Sequence, residues 1–222
     1  MLKTIKKIIT QTFVYKRVYV LFFSNNETCP CMKTYVLAQE IGGLRHTLIR
    51  RLEEDETRKA INTANARTNL IVYVHGSLNP EMCYYEDSNG LEVIPNGIPN
   101  VWWEQLRKTK GLLYFHVCNG TQILRQPLNP YFPEWVSYSK EVWSVQASDP
   151  LIERINRNFL SRVAEEINNR KNARSLKPAI ESVYKQAESD FWDCGNKVAG
   201  YTAFIRAIGR NIQLLTSSCD NQ

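Results

Sequence analysis

Two residues of this 222-residue chain stand out for the chemistry they could do, a histidine and a cysteine, each set directly after a short apolar run. Leu70-Ile71-Val72-Tyr73-Val74 stops at His75-Gly76, and Leu112-Leu113-Tyr114-Phe115, with Val117, stops at Cys118-Asn119-Gly120. An imidazole can take a thiol's proton, and the resulting thiolate attacks carbonyl carbon, so the two form a nucleophile and base if the fold brings them side by side. His116 lies two residues before Cys118 and on a strand would share its face. It reads first as a core or pocket-lining histidine, with a third active-site group or a metal ligand as alternatives.

The elements that must position this pair can be read from the same runs. Both are built of β-branched, aromatic and leucine residues, are too short for buried helices and are bounded by turn residues, as expected of central strands covered on both faces. Residues 99 to 108, with Val101, Trp102, Gln105 and Leu106, read as a helix crossing between them. Two strands joined by such a crossover are parallel and neighbouring, which puts their carboxyl ends on one edge, where ligands bind in open α/β sheets.

This arrangement resembles the caspase-like cysteine peptidases, the clan of caspases, metacaspases, clostripain, separase and the CHAT domains. In that clan one apolar strand ends in His-Gly and a second, roughly 50 residues on in caspases, ends in the nucleophilic Cys; here the separation is 43 residues, and Cys118-Asn119-Gly120 matches the glycine that often follows the Cys. The resemblance implies an α/β fold, a caspase-like three-layer α/β/α sandwich with a mostly parallel central sheet, as a single domain over 1–222. It implies Cys118 as nucleophile, His75 as base and the backbone N–H groups of Gly76 and Cys118 as the oxyanion hole. Two residues before the Cys, where caspases carry Gln and metacaspases Asp, this chain has His116, so that wall of the substrate pocket differs. Glu141 to Gln146 reads as the next strand, similar to a Trp-containing strand of CHAT domains and separase. An acidic residue follows it in Arg-specific members and lines their substrate pocket, the place Asp149 would take; an Asp before Pro is equally a helix cap.

Composition sets the limits. With 43% hydrophobic residues the chain can bury a full core, and a net charge of +6 spread without a dense basic run fits general solubility as well as nucleic-acid binding. Six cysteines at irregular spacings do not form a secreted disulfide framework and point to the cytoplasm. Cys29-Pro30-Cys31 misses the CxxC spacing of zinc and thioredoxin motifs and reads as loop thiols. The run from Val18 to Phe23 is far short of a membrane span, and no targeting segment is evident.

The remaining elements follow in order. Met1 to Thr12 reads as a basic amphipathic helix packed on the domain's own core, with docking to a membrane surface or partner as the alternative. Val18 to Phe23 reads as the first strand, Tyr35 to Arg51 as a helix carrying His46, and Glu53 to Arg67 as a second helix. A strand that the clan places before the His strand has no evident counterpart. Residues 77 to 100 read as a long loop with a small hairpin near Ser88-Asn89-Gly90, able to wall a cleft through Met82, Tyr84, Tyr85 or Glu86. Leu151 to Asn168 and Leu176 to Ala187 read as amphipathic helices, and Val198 to Leu215 as helix or strand.

Three functions follow. The first is a cysteine endopeptidase acting on a protein substrate without a cofactor; the resemblance adds an activating protein partner and a place in bacterial antiviral defence. The second is a metal-binding hydrolase or structural zinc-binding domain using His75, His116, Cys118 and Cys83. The third is a catalytically inactive caspase-like module that binds a partner or nucleic acid.

Overall fold

The computed structural model describes residues 15–24, 30–50, 54–65, 69–76, 83–87, 90–94, 111–125, 134–144, 149–197 and 199–220. The expected basic helix over 1–12, the crossover helix over 99–108 and Met82 lie outside the described residues.

Strand β1, Val18–Phe23, is buried along its whole length. Its β-branched and aromatic side chains alternate between two cores, as a strand covered on both faces requires. Val18, Val20 and Phe22 join one core, and Tyr19, Leu21 and Phe23 the other. Around it forms a six-stranded sheet of β2 (His46–Ile49), β1, β3 (Asn69–Tyr73), β7 (Leu113–His116), β8 (Trp135–Tyr138) and β9 (Leu215–Ser217), in that spatial order. Every neighbouring pair is parallel except β8 with β9. A second, antiparallel sheet joins β4 (His75–Gly76), β5 (Cys83–Asp87) and β6 (Gly90–Ile94); β5 and β6 pair as the arms of the expected hairpin, while Ser88 and Asn89 lie outside the described residues.

Helices cover both faces. On one lie α1 (Pro30–Gln39), α4 (Pro150–Asn169), α5 (Ala173–Cys194) and α6 (Tyr201–Leu214); on the other lie α2 (Glu54–Asn65) and the short α3 (Gly120–Leu124). The expected three-layer α/β/α sandwich with a mostly parallel sheet is therefore the one the chain forms. Helix α4 shows why: Ile152, Ile155, Leu160, Val163, Ala164 and Ile167 recur on one buried stripe, and the helix opens on an Asp149 cap with proline at its first position.

Three expectations are corrected. The segment read as one helix from Tyr35 to Arg51 is α1 followed by β2, and His46 is a strand residue whose Nδ1 lies 2.9 Å from the Leu44 carbonyl. Gly43 takes a left-handed φ of 84° at the break, and edge pairing with β1 prevails beyond it. This edge strand supplies the element missing before the His strand. The strand beside β7 is Trp135–Tyr138 and not Glu141–Gln146, because residues 139–144 carry no ladder. Cys31 is no loop thiol; it is buried in the first turn of α1.

Candidate active site

Strands β3 and β7 end level with one another, Tyr73 opposite His116, so His75 and Cys118 each follow two residues beyond a paired position on the sheet's carboxyl edge. The His75 backbone then leaves the large sheet and pairs with Tyr84, and Gly76 pairs with Cys83. Cys118 sits in the turn between β7 and α3.

This turn explains the Cys-x-Gly spacing. Asn119, the N-cap of α3, holds a left-handed φ of 57°, an uncommon conformation outside glycine that recurs at functional sites. Its N–H donates to the Lys140 carbonyl at 3.0 Å, tying the turn to the segment after β8. A Cβ on Gly120 would stand 2.1 Å from Ser137 Oγ and 3.1 Å from the Phe115 ring, so only glycine lets α3 sit this close to β8.

Cys118 is half-buried, and its sulfur accepts a hydrogen bond from the Val142 N–H at 3.3 Å. Burial pushes the thiol's pKa up and the Glu141 carboxylate adds to the rise, while the Val142 N–H and the cysteine's own N–H oppose it. Among the described residues no acceptor other than the sulfur itself takes the Cys118 N–H.

Cys118 and His116 share a cavity of about 80 Å³ with Tyr73, Val142 and Ser144. A second cavity of about 70 Å³ shares Thr34, Tyr73, His116 and Ser144 with it as common walls. His116 Nδ1 lies 3.2 Å from the Tyr114 hydroxyl and 3.3 Å from that of Tyr138, and its ring packs on Tyr73 at 4.7 Å between centroids. Tyr138 is further bonded to Tyr184 at 2.5 Å, so three buried phenols stand behind the imidazole. Burial lowers the His116 pKa from 6.5 to about 4, leaving the ring neutral at pH 7.

The fold is similar to that of caspase-1 from Spodoptera frugiperda. The match covers 76% of each chain at 14% identity, with a TM-score of 0.41. No family model matches the sequence, and no curated protein matches it.

The structure thus brings Cys118 and His116 to one cavity. Asp149 lines neither cavity; its carboxylate accepts the Leu151 N–H at 2.8 Å and caps α4, the alternative reading of that residue. Among the described residues no cluster of three His, Cys, Asp or Glu side chains could hold a metal ion, and no helix is long and apolar enough to cross a membrane.

Sequence reasoning missed Asn211. This buried side chain accepts the Trp143 N–H at 3.0 Å and donates to the Trp143 carbonyl at 2.9 Å, as a neighbouring strand would. It holds the segment that presents Val142 to the sulfur. The signal available beforehand was a polar residue within the apolar pattern of residues 198 to 215.

Proposed function

We propose that this chain is a caspase-like cysteine endopeptidase in which Cys118 is the nucleophile and His75 the base. The observation that carries the reading is a half-buried cysteine in a left-handed turn on the carboxyl edge of a parallel sheet, opening into a cavity, next to the strand that runs into His75. His75 takes the proton of Cys118, and the thiolate forms a bond to the peptide carbonyl carbon. The backbone N–H groups of Cys118 and Gly76 hold the oxyanion. His75 returns the proton to the departing amine as the C–N bond breaks, and water then hydrolyses the thioester. His116 walls the substrate side of the site.

The raised thiol pKa supports a slow basal activity that a protein partner raises, not a complete absence of activity in the chain alone. With the sulfur held at Val142 and little of it ionised at pH 7, an activating protein partner acts by moving the segment after β8 and bringing a cation to the thiolate. A role in antiviral defence follows from the clan resemblance. The test is cleavage of a denatured-protein peptide library by the chain and by Cys118→Ala and His75→Ala, with circular dichroism to establish that each variant folds. Loss of cleavage in both folded variants is the expected result, and undiminished cleavage by Cys118→Ala would overturn the proposal.

A further inference from the structure

We propose that the cavity adjoining Cys118 receives the substrate side chain before the scissile bond and takes an uncharged aromatic one; this rests on the reading of Cys118 as the nucleophile. The two cavities share Thr34, Tyr73, His116 and Ser144 as wall residues, so the side chain preceding a carbonyl held at the sulfur has the second chamber within reach on the far side of the imidazole. That chamber's walls include the rings of Tyr73, His116, Trp143, Phe159 and Tyr184. Phe159 and Tyr184 pack with centroids 4.6 Å apart, and Trp143, 44% exposed, stands at the rim with the Arg210 guanidinium 4.6 Å over its ring. Ring walls at these spacings suit an inserted ring in offset or edge contact.

The polar side chains of the chamber are uncharged: Thr34, Ser144, Asn156 and Asn211. No Asp, Glu, Lys or Arg is among the described residues that line it. His116 is neutral at pH 7, and burial keeps the Tyr73 and Tyr184 hydroxyls protonated. An Arg or Lys side chain placed here would leave water without meeting an opposite charge among the described wall residues, and an Asp would find only Arg210 at the rim, which makes each costly to bury. This argues against a preference for arginine in this chamber, because Asp149 is not among its walls and caps α4 instead.

The experiment uses the full chain and a set of peptidyl acyloxymethyl ketones differing only in the residue before the warhead: Tyr, Phe, Arg, Lys or Asp. The thiolate bonds to the methylene carbon, the C–O bond breaks and the carboxylate leaves, so a stable thioether records the event by intact mass and peptide mapping. Labelling of Cys118 by the Tyr and Phe probes at least ~10-fold faster than by the charged ones is expected, about 1.4 kcal/mol of discrimination. A charged probe that equals or outpaces them overturns the pocket assignment and leaves the nucleophile standing. Labelling by no probe overturns the nucleophile instead.

The chamber is then judged without chemistry, by saturation-transfer NMR of Cys118→Ala with N-acetyl-tyrosinamide, N-acetyl-argininamide and N-acetyl-aspartamide. Binding of the tyrosine amide alone, lost when Ser144→Trp fills the shared wall, is the expected result. Absence of tyrosine-amide binding, or equal binding by a charged amide, overturns the assignment whatever the labelling gives.

Discussion

Replacing Gly120 by alanine tests whether the turn that carries Cys118 is fixed by packing. The added Cβ would stand 2.1 Å from Ser137 Oγ and 3.4 Å from Ser137 Cβ, with the Phe115 ring at 3.1 Å. Ser137 is fully buried on the central sheet and donates to the Phe115 carbonyl at 2.8 Å, so its hydroxyl must turn away or α3 must lift off β8. Overpacking costs about 1–3 kcal/mol and a stranded buried hydroxyl a comparable amount, which gives roughly 3 kcal/mol together. In a chain of this length that lowers Tm by about 6–12 °C. Ser137→Ala removes the clashing atom, and the Phe115 carbonyl keeps its bond from the Val117 N–H at 3.1 Å, so this change alone costs about 1 kcal/mol. The double variant is expected near 2 kcal/mol below the parent, a coupling of about 2 kcal/mol in the rescuing direction. Urea unfolding of the four proteins measures it. Additive losses, or Gly120→Ala within about 0.5 kcal/mol of the parent, would refute the packing account.

Three more outcomes are expected. His116 has a folded pKa of about 4 against an ordinary 6.5, so the unfolded chain binds its proton first; the contribution is present above pH 6.5 and is lost as pH falls toward 4. Thermal unfolding across that window should lose up to about 3 kcal/mol more in the parent than in His116→Gln. Asp149→Ala should cost about 1 kcal/mol by losing the cap, whereas Asp149→Asn keeps an acceptor for the Leu151 N–H and should stay within about 0.5 kcal/mol; a change in cleavage preference in the folded Asn variant would show a substrate contact instead. Asn211→Ala strips both bonds from the Trp143 backbone and should cost about 1–3 kcal/mol, with faster amide exchange at residues 141–143 and faster alkylation of Cys118. Unchanged exchange there would remove Asn211 from the support of the site.

The central strands were legible because burial on both faces leaves an uninterrupted apolar run, as at Leu70 to Val74. Helix α4 was legible for the opposite reason, a stripe at a period of 3.6 bounded by Asp149 and Pro150. Strand β2 was not, because an edge strand has one neighbour and fully buries only Ile49, so its pattern merged with that of the helix before it. Glu141 to Gln146 has the composition of a strand, but Asn211 satisfies the Trp143 backbone in place of a ladder, a tertiary effect that no local window contains. For the site, the strand-end positions of His75 and Cys118 were readable from residue order. The aromatic chamber was not, since Tyr73, Phe159 and Tyr184 come from three distant elements and meet only after the layers close.

The helix that begins two residues after Cys118 is fastened from far along the chain. Thr121 in α3 shares a hydroxyl hydrogen bond with Thr216 in β9, 95 residues later, and the Ser139 N–H donates to the Leu214 carbonyl. A ribosome adding about 5–20 residues per second delivers that fastening some 5–20 s after it delivers Thr121. During that interval the nascent Cys118 thiol rides on an unfinished scaffold, and the turn that carries it is fastened only when β9 joins the sheet.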